Sequence, residues 1–227
     1  MRRIELLDLC RSLLIAFMVV WHALYDVALF WPAELGSFVA SDAYRAAAGL
    51  CGGGFILLAG ICCRFSRSNI RRGLVVLAAG VAVMAASLWV GEPVMFGILQ
   101  LLGTCMLLYG LLGRRLEALP PYVLPAACAA LFPLTLMLTK SIEVDITWLF
   151  PLGFITDTFY SADYYPLLPW IFLFLFGTWL GGYLKSKSGR RKIPPALIWP
   201  GRHSLWIYLL HQPIIYCVMY AVSRLKV

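Results

Sequence analysis

Charge is scarce in this chain of 227 residues, of which only 13% are Asp, Glu, Lys or Arg. Soluble domains carry about 25%. Hydrophobic residues make up 62%, and the mean hydropathy is +0.83. That balance excludes a soluble globular enzyme, a disordered tail and a secreted disulfide scaffold. Metal-ligand patterns are missing too. The seven cysteines (Cys10, Cys51, Cys62, Cys63, Cys105, Cys128 and Cys217) are scattered through apolar stretches, with no CxxC pair and no His/Cys cluster. Neither a metal nor a redox centre is expected, and the thiols read as small buried hydrophobes. A net charge of +8 would by itself suit nucleic acid. The charges, however, sit in clusters between apolar runs, which is how membrane topology is encoded. The expected partner is the lipid bilayer, with no nucleic acid.

What is present is a series of long apolar runs. A span needs about 20 mostly apolar residues. The pattern predicts an all-α polytopic transmembrane bundle of about seven spans, forming one domain over residues 1–227 with no separate soluble domain. The expected spans are Leu9–Phe30, Ala46–Cys63, Gly73–Val90, Val94–Leu112, Tyr122–Leu138, Leu167–Leu184 and Ser204–Val222. The first run is long, and no small-residue cleavage site follows it, so it is expected to stay as a span.

Alternating the spans places Arg2, Arg3, Arg64, Arg67, Arg71, Arg72, Arg114, Arg115 and the Lys185–Arg202 cluster on one side. The other side receives Arg45, Lys140 and most of the acids: Glu34, Asp42, Glu92, Glu143, Asp145, Asp157 and Asp163. The positive-inside rule then predicts a cytoplasmic N-terminus. The basic tail, Arg224 and Lys226, runs against that pattern. The longest outer connection, Thr139–Tyr165, is acidic and aromatic. It reads equally as an interfacial aromatic belt or as a substrate-facing lid.

Ionisable groups inside spans are costly, which makes them functional candidates. The first span holds Arg11, His22 and Asp26. Arg11 and His22 are about three turns and 16 Å apart along a helix, hence on one face. Asp26 follows His22 by one turn on the same face. A carboxylate bonded to one ring nitrogen would raise the basicity of the other, which could then take a proton from an attacking hydroxyl or amine. The alternative is a histidine that only ties helices together. The seventh span carries a second polar stripe, Ser204, Tyr208, His211 and Gln212, again on one face. This reads equally as an interhelical hydrogen-bond cluster. Gln100 lies in the fourth span and needs a partner in the bundle. His203 reads as a surface or capping residue.

Several stretches carry a resemblance: RSLLIAFMVVWHALYD from Arg11 to Asp26, GGGFILLAGICCRFSR, FGILQLLG, DYYPLLPWIFLFLFGTWLG and GRHSLWIYLLHQP. In this order, from about Arg3 to Tyr216, they resemble the bacterial proteins related to the heparan-alpha-glucosaminide N-acetyltransferase catalytic domain. The Arg-x10-His spacing also resembles the first span of wider membrane acyltransferases that modify surface polysaccharides. The resemblance implies transfer of an acyl group from acetyl-CoA to a sugar amine or hydroxyl, or a glycolipid, across a membrane of the bacterial inner-membrane kind. By motif match His22 is the candidate base, with Arg11 on the donor side. Asp163, Pro166, Pro169, Trp170, Ser204, His211 and Gln212 are positions shared with the family. The chain departs at Gln100, where relatives usually have His, and at Ser12, where Gly usually follows the Arg. Residues 36–50, which correspond to the loop holding the proposed catalytic His of animal relatives, contain no His.

The resulting mechanism has acetyl-CoA as donor, its phosphates held by Arg11, Arg64, Arg67, Arg71 or Arg72. His22, oriented by Asp26, acts as base, with His211 as a further catalytic candidate. Tyr208 or Gln212 would donate to the oxyanion. The acceptor would lie near Asp163, Tyr165 and Trp170, with Gln100 and Ser204 as further substrate contacts. Two other readings use the same residues: a transporter or flippase-like module, and a non-catalytic partner in envelope assembly. A homo-oligomer is compatible with all three.

Overall fold

The computed structural model describes residues 5–142, 144–187 and 193–225. Within them the chain forms α1 (Glu5–Phe30), α2 (Pro32–Val39), α3 (Asp42–Cys63), α4 (Asn69–Val90), α5 (Ile98–Glu117), α6 (Val123–Ser141), a 3-10 helix (Thr147–Leu152), α7 (Leu167–Lys187), α8 (Pro195–Arg202) and α9 (Ser204–Leu225). No strand occurs among the described residues. The all-helical expectation is therefore met. Arg2, Arg3, Glu143, Arg190, Arg191, Lys192 and Lys226, which entered the topology argument, lie outside the described residues.

Local chemistry sets the helix ends. Ser41 Oγ accepts from the Tyr44 amide at 3.2 Å as α3 begins. Ser68 caps α4 by accepting from the Arg71 amide, and α4 stops at Gly91 in the left-handed region (φ 90°). Both are the side-chain and glycine caps that orphan helix-end groups demand. Proline opens α2 and α8, where its missing N–H costs nothing.

Among the described residues, six helices are long and apolar enough to cross a membrane: Glu5–Phe30, Asp42–Cys63, Asn69–Trp89, Val123–Ser141, Leu167–Leu184 and Ser204–Arg224. The remaining expected span, Val94–Leu112, corresponds to α5, which is not among the six. Arg114, Arg115 and Glu117 fill its last turns. Its other face buries Leu99, Gln100, Leu101, Cys105, Met106 and Tyr109. An amphipathic helix of this kind is a packing element first. The short helices α2 and α8 were not expected, because eight residues are too few for a clear periodic signal.

Packing divides the chain into two compact units, with the boundary inside α3. The first unit comprises residues 56–188. Here α4 packs on α5, α6 on α7, and α5 on α7. Glycines set the helix spacing: a Cβ on Gly60 would run into the Phe174 carbonyl oxygen, and one on Gly103 would lie 2.6 Å from the Leu77 amide nitrogen. Small residues at such crossings let backbones approach closely. The second unit comprises residues 2–55 and 189–227. In it α1 packs against α2, α8 and α9. Many large side chains remain exposed on the helices of each unit, among them Trp89 and Leu111 in the first and Leu13, Val20 and Trp206 in the second. In a bilayer they face lipid.

Candidate active site

The polar residues of α1 and α9 meet within the second unit. α1 supplies His22 and Asp26; α9 supplies Tyr208, His211 and Gln212. Asp26 is 1% exposed. Gln212 Nε2 donates to its Oδ1 at 3.0 Å and its Oδ2 at 3.2 Å. A carboxylate accepts only, so the amide nitrogen must face it.

The two imidazoles face one another with ring centroids 4.8 Å apart and planes at 70°. His22 Nδ1 lies 2.9 Å from the Met18 carbonyl, and His211 Nδ1 lies 2.7 Å from the Tyr208 carbonyl. Carbonyls only accept. Both Nδ1 atoms therefore carry hydrogen, and in the neutral rings both Nε2 atoms hold the lone pair. His211 is 8% exposed, and its Nε2 has no hydrogen-bond partner among the described residues. His22 is half-buried. The Tyr208 ring lies 5.6 Å from that of His211.

The expected hydrogen bond between Asp26 and the His22 ring does not form. Side chains on a helix lean toward its N-terminus, which carries the His22 ring back to the Met18 carbonyl and away from Asp26. Asp26 instead takes its partner from α9. The expectation that Gln212 serves the oxyanion also changes, because its amide nitrogen is engaged by Asp26.

Arg11 lies on the same helix, toward its start. Its guanidinium donates to Asp8 Oδ1 at 3.3 Å, while Arg202 of α8 donates to Asp8 Oδ2 at 3.4 Å. Asp8 is 2% exposed. Ser12 Oγ donates to the Asp8 carbonyl at 3.1 Å and accepts from the Gly201 amide at 2.8 Å. A side-chain hydroxyl at position 12 thus ties α1 to α8, where a glycine could not. Asp8 was missed in the sequence, although its place one turn before Arg11 in an apolar run was a usable signal. Ser204 stands at the start of α9, one turn before Tyr208.

The other expected site residues belong to the first unit. Asp163 Oδ2 accepts from the Ile98 amide at 3.1 Å, at the N-terminus of α5. Its negative charge there meets the positive end of the helix dipole. The backbone around it is tied down: Tyr165 N donates to the Phe96 carbonyl at 3.0 Å, and Ala162 N to the Pro93 carbonyl at 2.9 Å. The ring of Trp170 lies 5.4 Å from that of Tyr165 and 5.9 Å from that of Phe132. Tyr164 OH donates to the Phe150 carbonyl at 2.6 Å. Burial pushes this hydroxyl up to about 12 from its ordinary value near 10. Gln100 is 5% exposed and packs against Gly80 of α4, whose added Cβ would meet Gln100 at about 3 Å. Its Nε2 lacks a partner among the described residues.

Among the arginines of this unit, Arg64 pairs with Glu117 and donates to Tyr109 OH at 3.4 Å. Tyr109 OH in turn donates to Glu117 at 2.6 Å. Arg67, Arg71 and Arg72 are exposed around the start of α4. An apolar groove of about 250 Å³ lies between α6 and α7, beside Phe132, Pro133, Phe172 and Phe176. No group of three or more metal-ligating side chains occurs among the described residues.

A polytopic helical membrane protein with imidazoles and a carboxylate buried between two helices is the class these observations define. The chain matches the family described as heparan-alpha-glucosaminide N-acetyltransferase, catalytic, over residues 3–213, and it belongs to that family of membrane acyltransferases. No curated protein and no solved structure matches it.

Proposed function

We propose that the protein moves an acetyl group from acetyl-CoA to the amine or hydroxyl of a sugar or glycolipid at the far side of the membrane. The observation that carries this reading is the His22 ring, held at Nδ1 by the Met18 carbonyl so that Nε2 is presented as a base. Family membership supports the acyl-transfer chemistry.

In this reading the acceptor's N–H or O–H gives its proton to His22 Nε2 as the heteroatom attacks the thioester carbonyl. The tetrahedral intermediate collapses, the C–S bond breaks, and the proton passes to the departing thiolate of CoA. Asp26 remains a carboxylate and balances the imidazolium during the step. Gln212 keeps it in place. Direct transfer needs no nucleophile from the chain, and the thiols in the apolar core are poorly suited to be one. The donor's phosphates are assigned to arginines; Arg67, Arg71 and Arg72 suit that role because they are exposed. Arg11 and Arg64 each have an acid to satisfy, so a smaller part is assigned to them. The acceptor's sugar ring is assigned to Tyr165 and Trp170, whose flat faces suit carbohydrate. Asp163, Gln100, Ser204 and Tyr208 remain as candidate contacts. The membrane is taken to be a bacterial inner membrane.

The test is transfer of radiolabel from acetyl-CoA to amino-sugar and sugar acceptors by the purified protein in lipid vesicles. Label is expected on the acceptor. His22→Ala should lower the rate about 100-fold or more, with an unchanged size-exclusion profile. Millimolar CoA should also raise the unfolding temperature, since a ligand bound to the native state stabilises it. Solute flux without CoA turnover, or no thermal shift with CoA, would overturn the proposal.

A further inference from the structure

The pair formed by His22 and His211 does something neither ring could do alone. Each Nδ1–H is committed to a carbonyl of its own helix. Only the Nε2 positions exchange protons, and the rings that carry them are 4.8 Å apart, edge to face. No hydrogen bond links the two rings, since His211 Nε2 has no partner among the described residues, but at that separation the charge of one ring acts directly on the other. Two protonated rings, by contrast, would be like charges side by side in a water-poor environment, and each would exclude the other.

Among the described residues the surroundings hold one carboxylate. Asp26 on α1 lies near His22, the Tyr208 ring on α9 lies 5.6 Å from that of His211, and Tyr44 on α3 lies near Asp26 and Tyr25. Of these only Asp26 is a carboxylate, and among the described residues it pairs with no arginine or lysine but is held by the uncharged Gln212. One imidazolium balances it; a second would have nothing to balance it. His211 is also more than nine-tenths buried with an unpartnered Nε2, an expensive arrangement for a residue that only joins helices.

We infer that His22 and His211 hold a single exchangeable proton between them, with His211 acting as the positioning residue that steadies the His22 imidazolium. This rests on the acyl-transfer reading for its use in catalysis, but not for its existence. During transfer the proton leaves the acceptor, rests on the pair, and ends on the sulfur of CoA, so the pair returns to its starting state.

The experiment is 15N NMR of histidine-labelled full-length protein in lipid nanodiscs, with His203→Asn so that only the pair is observed. Between pH 8 and 5 the two rings together should gain one proton. A gain of two, or of none, overturns the inference. In parallel, His211→Asn keeps a donor for the Tyr208 carbonyl and removes the second ring. It is expected to lower kcat at least 10-fold with KM unchanged within about twofold. Wild-type kcat in that variant, or a loss confined to KM, also overturns it. If no acyl transfer is found with any donor while the pair still takes up one proton, the transferase reading fails and the shared proton stands.

Discussion

Gln212 on α9 gives its one amide nitrogen to both carboxylate oxygens of Asp26 on α1, at 3.0 and 3.2 Å. A buried carboxylate answered by an uncharged group is unusual, because the ordinary partner of a buried charge is a cation. The pairing leaves Asp26 without a cation among the described residues. It also couples two helices that are far apart in sequence.

Gln212→Ala should therefore strand the carboxylate and destabilise the fold by about 2 kcal/mol, the range for a lost hydrogen bond to a charged group. Adding Asp26→Asn should recover much of that loss, because removing both partners costs less than removing one. Unfolding of the two single variants and the double variant in lipid measures the coupling. Additive effects would show that the two side chains do not interact.

Asp163 is open to two roles that one variant separates. As a cap on α5 it contributes about 1 kcal/mol, and Asp163→Asn or Ser should keep most of that, whereas Ala should not. If capping is its whole function, Asp163→Ser retains normal KM for the acceptor. A KM raised 10-fold or more in a stably folded Asp163→Ser protein would assign it to substrate binding as well.

Gly60 faces the backbone of α7, where Phe174 and Thr178 are 0% and 2% exposed. Gly60→Ala should push α3 from α7 and cost about 1–3 kcal/mol, the usual range for overpacking. Gly49, around whose position no atom would lie within 4 Å of an added Cβ, is the control, and Gly49→Ala should be neutral or slightly stabilising. Thermal unfolding of the two variants side by side checks both.

The connection before α7 has its own pH limit. Tyr164 OH donates to a backbone carbonyl and has its titration raised to about 12. A group that holds its proton more tightly folded than unfolded contributes stability that is fully present below pH 10. That contribution falls as the pH climbs from about 10 to 12, because only the unfolded chain gains from losing the proton early. The tyrosinate absorbance of wild type minus Tyr164→Phe should therefore appear only near pH 12. Its appearance at pH 10 would show an exposed hydroxyl.

The membrane character, the helical class and the approximate positions of six of the seven expected spans were readable from apolar runs alone, because a bilayer admits little besides helices of about 20 apolar residues. Helix starts at Leu167 and Ser204 fall where the pattern put them. The intramembrane residues His22, Asp26, His211 and Gln212 were also visible, since polar side chains stand out against hydrocarbon. Their partners were not. Spacing on one helix suggested Asp26 for His22, but the lean of side chains toward the N-terminus gave His22 to Met18, and α9 supplied Gln212 to Asp26. Asp163, expected as an acceptor contact, lies in the loop before α7, and its carboxylate also accepts from the first amide of α5, which the sequence did not show. Asp8 joins α1 to α8 through Arg202, a contact between residues nearly the whole chain apart. Composition and periodicity are properties of one segment at a time, so they state what a helix is made of. Which polar atom answers which depends on how helices distant in sequence are packed, and only the folded chain brings those atoms within 3 Å or so of each other.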